Sequence, residues 1–363
     1  MKVGVITFHS ANNYGAILQT WALQKVLKDM GLDAGVINYH PDIIDGLYDP
    51  MKLATGWRRI AKKLTLSIKN PVSLKRYKKY KAFNRKHLKL IGDFRTYKQL
   101  ADAKLNLDAY IVGSDQVWNT DHTDGFDPAY LLSFAEAKKK RISYAASIGK
   151  EYFQPRFRED FKEGFKQFTA ISVREKSAVN AVQELSGQKV DVVLDPTLLL
   201  KKEDYNDIKV PSPIKEPYIL VYMIEKNEQV VKLANKLSIS LGLPILQRRY
   251  IPGFKNQLEP FYTADTGEFL GLMEAAEYVI TNSFHGTVFS IIYKKPFISM
   301  LHTDTGSRTK DLLEELNLES HMVKAADDFN DFSRFFISEP EKLDERIQKL
   351  REKSLDFLKK ALE

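Results

Sequence analysis

The sequence predicts an α/β protein of two doubly wound domains, each a mainly parallel sheet, facing one another across a cleft. Three observations predict it. Short β-branched runs alternate with helical patterns, and that alternation occurs twice. Between the two series lies 195–217, "DPTLLLKKEDYNDIKVPSPIKEP", with three prolines and no clear period. The chain has 363 residues, 44% of them hydrophobic, which is enough for two cores at ~100–200 residues per domain.

In the first series "VGVITF" (3–8) reads as a strand and leads through a polar loop into a helix over 16–31. Ile17, Trp21, Leu23, Val26, Leu27 and Met30 form its apolar stripe, and Gly31 stops it. "AGVINY", "DAYIVGSDQVW", "RISYAASIG", "AISVRE" and "VDVVLDPTLLL" are the further strand runs, most of them separated by helical segments. Residues 51–92 read as a basic, helical insertion after the second strand, broken by Pro71. In the second series strands are expected at 218–224, within "LPILQRRYI", at 278–281 and at 296–301. Helices are expected at 227–242, 267–276, 284–295 and 307–318, with a charged helix from about Glu339 onward. The expected domains are 1–200, 201–335 and a helical tail 336–363 that packs back on the first domain. In open sheets of this kind ligands bind outside the carboxyl ends of the strands.

Composition narrows the function. No cysteine is present, so thiol catalysis, disulfides and cysteine zinc sites are excluded. No apolar run reaches the ~18 residues of a membrane helix. The N-terminus "MKVGVITF" reads as a strand rather than a secretory signal. The net charge of +8 is local: residues 51–92 carry 14 Lys and Arg and no acid, so the rest of the chain is net acidic. One basic block on an acidic body suggests docking to an anionic surface. Nucleic acid fits poorly, because the block has few aromatics (Trp57, Tyr77, Tyr80, Phe83) for stacking.

Four polar strand ends could carry chemistry. In "YVITNSFHGTVF" a strand stops at Asn282-Ser283 and a helix begins at once. His285 falls in its first turn, where backbone N–H groups point outward and Gly286 allows close approach, a ready anion site. The plainer reading is a hydrogen-bonded histidine at a helix start. Arg174, ending "AISVR", can hold a phosphate or carboxylate in bidentate fashion or simply pair with Glu175. Arg308, with Ser307 before it, sits in a first helical turn, where a cation is unfavourable unless an anion intervenes; a solvated arginine is the alternative. Asn13, Tyr14 and Gly15 after the first strand, with Asp115 and Ser147 at two others, offer polar groups. GxGxxG, Walker, HExxH and GxSxG motifs are all missing, and "HTD" (302–304) is too thin for a metal site, so no metal is expected.

In this order, "NNYGAILQ", "GSDQVWN", "SYAASIG", "ISVREKSAV", "DVVLDPTLLL", "YVITNSFHGTVFSIIYKKPFI" and "GSRTKDLLEEL" resemble the polysaccharide pyruvyl transferase family. The resemblance spans roughly 3–318. It implies a GT-B-like fold of two Rossmann-like domains, the first on the acceptor side and the second on the donor side. It implies transfer of the enolpyruvyl unit of phosphoenolpyruvate to sugar hydroxyls as a pyruvate ketal, with no cofactor beyond that donor. The acceptor is a bacterial surface polysaccharide or its lipid-linked precursor. His285 matches the histidine of the family's Arg-Leu-His motif, implicated in catalysis. Arg174 matches the arginine that contacts the donor. Asn282, Ser283, Gly286, Ser307 and Arg308 fall on the donor side, and Asn13, Tyr14, Gly15, Asp115 and Ser147 on the acceptor side. Ser283 stands where many members have arginine and Phe284 where they have leucine, so one anion-binding charge is missing. Arg308, Arg248 and Lys295 are the candidates to replace it.

The expected protein is therefore a cytoplasmic pyruvyl transferase working at the inner face of the membrane, with peripheral contact through 51–92. Two alternatives stay open. One is a GT-B glycosyltransferase using a nucleotide sugar. The other is a non-catalytic glycan-binding member with a degenerate donor site.

Overall fold

A computed structural model describes residues 1–46, 71–326 and 331–363. Residues 51–70, the first part of the basic block, lie outside the described residues. The chain divides into two compact units, Met1–Leu200 with Lys349–Glu363, and Lys201–Gln348.

The first unit holds seven strands: β1 (Lys2–Ile6), β2 (Asp33–Tyr39), β3 (Leu90–Phe94), β4 (Ala109–Val112), β5 (Lys140–Ala146), β6 (Ala170–Val173) and β7 (Val190–Val192). They lie in the order β3-β2-β1-β4-β5-β6-β7, and every pairing is parallel. The order reverses between β1 and β4. Among the described residues this unit contains α1 (Tyr14–Asp29), α2 (Asp42–Gly46), α3 (Pro71–His87), α4 (Tyr97–Asp102), α5 (Arg158–Phe165), α6 (Val179–Ser186) and α7 (Pro196–Leu199). Central strands covered by helices on both faces must be apolar throughout, which is why β4 is "AYIV" with all four residues buried. Trp118, Phe161, Phe165 and Phe168 join one continuous core with Ile6, Tyr110 and Val112.

The second unit repeats the plan with β8 (Ile219–Tyr222), β9 (Ile245–Gln247), β10 (Tyr278–Thr281), β11 (Phe297–Met300) and β12 (Met322–Val323). Its order is β12-β11-β10-β8-β9, again with parallel pairs, and reverses between β8 and β10. Its helices are α8 (Glu228–Leu241), α9 (Thr266–Ala275), α10 (Phe284–Ile292), α11 (Ser307–Glu315) and α12 (Pro340–Leu362). The boundary of the units falls within α12. Its last turns belong to the first unit, where Ser354 Oγ accepts from the Leu194 amide (3.0 Å) and Arg351 donates to the carbonyls of Leu198 (3.1 Å) and Leu200 (3.2 Å). The fold is thus α/β and GT-B-like, with two Rossmann-like, doubly wound units.

Three elements depart from the sequence reading. Residues 90–94 end the basic block as edge strand β3 rather than helix, because β2 offers "LIGDF" a parallel neighbour. The run 190–200 is a three-residue strand followed by a short helix: Asp195 caps Thr197 N, and Pro196 opens the turn. The two-residue strand β12 has no periodic signal and exists only through its pairing with β11.

Candidate functional site

Parallel sheets that wind in both directions open a crevice where the strand order reverses, beyond the carboxyl ends of the two strands involved. In this chain those points are the ends of β1 and β4 in the first unit and of β8 and β10 in the second. The two are closed alike. Thr7 Oγ1 donates to Ser114 O (2.6 Å), and Thr281 Oγ1 donates to Tyr222 O (2.6 Å).

The second reversal carries His285. β10 ends at Thr281, and Ser283 caps α10 by accepting from Gly286 N (3.3 Å). The Thr281 hydroxyl also accepts from Ser283 N (3.0 Å), so the turn is held from both sides. Gly286 is demanded by this packing. A Cβ there would stand 2.2 Å from Thr281 Oγ1 and 3.0 Å from Tyr222 Cδ1. Asn282 bridges to the end of β8, accepting from Ile224 N (2.9 Å) and donating to Glu225 O (2.6 Å). His285 is buried in the first turn, with its ring edge-on to Phe284 at 5.1 Å.

Arg308, buried in the first turn of α11, places its guanidinium over the Phe284 ring at 5.6 Å. Phe284 is therefore in contact with both the histidine and the arginine. Ser307 is the first residue of α11; no side chain caps that helix at Gly306. Of the other replacement charges, Arg248 follows β9 at the same edge of the sheet. Lys295 does not qualify. It comes after α10 and before β11, at the opposite edge, past the far end of a helix that runs roughly 10 Å on from His285. Burial lowers its pKa there.

One group at this edge had no signal in the sequence. Glu225, after β8, accepts from Thr303 N (3.1 Å) and stands 3.7 Å from His302 Nε2. Partial burial works against its charge, but hydrogen bonds from Thr303 hold its pKa below the usual carboxylate value.

Arg174 has a different setting. It follows β6, two strands from the first reversal, but its side chain, 2% exposed, reaches back to Ser114 at that reversal. Nη1 donates to Asp195 Oδ2 (3.0 Å) and Ser114 Oγ (3.3 Å), while Nε lies 3.6 Å from Glu175 Oε2. Burial opposes its charge, but Asp195, Glu175 and Asp115 outweigh it and raise its pKa. Ser147, fully buried, donates to Glu175 Oε1 (2.7 Å) and accepts from Gly149 N (3.1 Å). Asp195 is the member the sequence reading passed over; Glu175 is the expected partner of Arg174, but the pair is buried rather than at the surface. The Asp-Pro pair of a helix start was the available signal for Asp195.

At the first reversal Asn13 caps α1, accepting from Gly15 N (2.9 Å). Tyr14 and Gly15 are both buried in that first turn, and Tyr14 stacks on Tyr80 at 5.4 Å. Tyr14 and Ser147 are thus interior residues that support the loops rather than line them. Asp115, at the end of β4, has φ +86 and accepts from Gln116 N (2.9 Å). A positive φ on a non-glycine residue at a strand end is strain of the kind that gathers at binding loops. A separate groove of about 540 Å³, bordered by Lys140, Lys189, Lys353 and Lys360, opens at the other edge, where β5 to β7 begin.

Comparison with known proteins adds the following. Among solved structures, a Listeria monocytogenes protein assigned as a UDP-N-acetylglucosamine 2-epimerase is similar at TM-score 0.50 and 12% identity, over 97% of this chain and 90% of that one. UDP-GlcNAc 2-epimerase from Methanocaldococcus jannaschii is similar at TM-score 0.49 and 14% identity, over 96% and 92%. An E. coli heptosyltransferase with ADP is similar at TM-score 0.42 and 11% identity, over 96% and 100%. At such identity the first of these speaks for the fold alone. No curated protein matches significantly. The family model of polysaccharide pyruvyl transferases matches residues 13–304, from the cap of α1 to four residues before Arg308. With that match over most of its length, the chain belongs to the polysaccharide pyruvyl transferase family.

Proposed function

We propose that this protein transfers the enolpyruvyl unit of phosphoenolpyruvate to two hydroxyls of one sugar, forming a pyruvate ketal and releasing phosphate. The observation that carries the reading is the grouping of His285 and Arg308 around Phe284 at the β8/β10 reversal. A donor with a carboxylate and a phosphate needs convergent positive charge and N–H donors. The start of α10, Asn282, Ser283 and Gly286 included, supplies the N–H groups; Arg308 and Ser307 stand at the start of α11.

The chemistry needs a proton delivered to the donor's methylene carbon and a hydroxyl oxygen bonded to the adjacent carbon. Phosphate then leaves with its bonding electron pair, and the second hydroxyl closes the ring; the two hydroxyl protons released balance the one given to the methylene carbon and the one taken up by the departing phosphate. His285 is the acid–base group of this sequence. Arg174 acts as a positioning residue, holding the ends of β4 and β6 through Asp195 and Ser114. The acceptor, a surface polysaccharide sugar or its lipid-linked precursor, belongs to the first unit, at Asn13 and Asp115. Contact through 51–92 brings the protein to the inner face of the membrane. Among the described residues no helix is long and apolar enough to cross it.

Ser283 favours a second reading. The position where many relatives carry arginine is here spent on capping α10, so the same helix start would take the diphosphate of a nucleotide sugar. A thermal-shift comparison of phosphoenolpyruvate with UDP- and GDP-sugars separates the two. Phosphate release that requires both phosphoenolpyruvate and a glycan acceptor supports the first reading. Stabilisation by a nucleotide sugar alone overturns it.

A further inference from the structure

The basic block was a stretch of charge in the sequence; in the structure its second half is a helix with two unlike faces. The inner face of α3 holds the loop at the end of β1. Arg76 Nη2 donates to Asn12 O (2.9 Å), Asn84 Nδ2 donates to His9 O (3.0 Å), and Tyr80 stacks on Tyr14. Phe83 completes this face in the core. The spacing 76, 80, 83, 84 is one side of a helix. Lys75, Lys78, Arg85 and Lys86 are exposed along the other side. Over its 17 residues α3 carries seven Lys and Arg and no acid. Such a helix repels itself, and a solvated surface gains nothing from that arrangement.

We propose that the outward face of α3 docks on an anionic phospholipid bilayer, and that docking steadies the loop 9–15 which the inner face grips. The inference rests on the acceptor-side reading of that loop. Charge complementarity selects the partner. A line of cations some 16 Å long fits a flat anionic surface. It lacks an exposed aromatic on which bases would stack, since Tyr77 lies beneath Lys81 at 5.6 Å and Tyr80 is interior. An enzyme that takes lipid-linked sugars would then hold its acceptor loop firmly only where such acceptors reside.

The test is co-sedimentation of the full chain with vesicles, without donor or acceptor, so that failure of pyruvyl transfer leaves the result untouched. Phosphatidylglycerol vesicles should bind the protein and release it at high salt, and phosphatidylcholine vesicles should not bind it. Replacing Lys75, Lys78, Arg85 and Lys86 together by Gln should lower the partition by roughly several hundred-fold, at about fivefold per charge. All four are exposed, and circular dichroism confirms that the variant folds. Hydrogen exchange of residues 9–15 should slow on phosphatidylglycerol vesicles in the parent and not in the variant. Unchanged binding by the variant, binding to an oligonucleotide but not to vesicles, or protection confined to 71–87 each overturns the proposal.

Discussion

Arg174 and the pair His285–Arg308 occupy similar places in their own units, just past a parallel strand or at the start of the helix that follows. Their surroundings differ. Arg174 is met by buried carboxylates, Asp195 at 3.0 Å and Glu175 at 3.6 Å. Arg308 faces the ring of Phe284, and His285 lies edge-on to the same ring. Strand order alone does not separate the two arginines, since Arg174 follows β6 and Arg308 follows β11, each inside a run wound in one direction. Their neighbours do: buried carboxylates meet Arg174, whereas an aromatic ring at the start of α10 meets Arg308.

The largest effect expected from this contrast is on turnover. His285→Ala should lower kcat by about 10²–10⁴-fold while leaving the urea midpoint close to the parent's. Near-normal turnover would remove His285 from the chemistry. Arg174→Ala should do the reverse. It strands two buried carboxylates and should cost about 3–5 kcal/mol in chemical denaturation. A fully stable variant with lost phosphoenolpyruvate binding would return Arg174 to the donor. Arg308→Met keeps the contact with Phe284 but removes the charge. The KM for phosphoenolpyruvate should rise by about 10–100-fold, the equivalent of one charged hydrogen bond.

Smaller effects sharpen the geometry. Gly286→Ala puts a methyl group 2.2 Å from Thr281 Oγ1, whose bonds to Tyr222 O and Ser283 N must then give way. A loss of about 1–3 kcal/mol is expected from such overpacking, read as a lower melting temperature. The smallest effect is that of pH. Burial lowers the pKa of His9 in the first unit and of His321 in the second, against the acceptor oxygens that face their rings, Asn38 Oδ1 and Thr7 O at His9 and Phe297 O at His321. Each stays neutral when folded and takes a proton when unfolded, so the unfolded chain binds more protons and stability falls as pH drops below about 6.5. The cost is under about 1 kcal/mol per histidine at pH 6. His9→Gln should flatten this slope; an unchanged slope would show that His9 is charged in the fold.

Much of the fold was legible because elements are encoded locally. The bounds of β10 were read correctly, and α10 and α11 were placed at their first residues, because apolar periodicity and capping residues lie within a few positions of one another. β3 was misread, since five residues at the end of a lysine-rich block carry no period of their own. The site was half legible. Asn282, Ser283, His285 and Gly286 fall within five consecutive residues, so their joint placement needed only one strand–helix turn. Phe284 and Arg308 are 24 residues apart, and Arg174 and Asp195 are 21 apart; no local pattern pairs them.

The sequence by itself determined where strands stop, which helix starts are polar, where positive charge is concentrated, and which family the motifs resemble. Those properties depend on neighbours along the chain. Only the tertiary structure decided that Arg174 is neutralised from within, that Lys295 lies at the wrong edge to serve His285, and that α3 grips the β1 loop with one face while showing its charge on the other. The physical reason is common to all three. The energy of a buried or exposed charge is set by the groups that surround it, and tertiary packing, not sequence distance, chooses those groups.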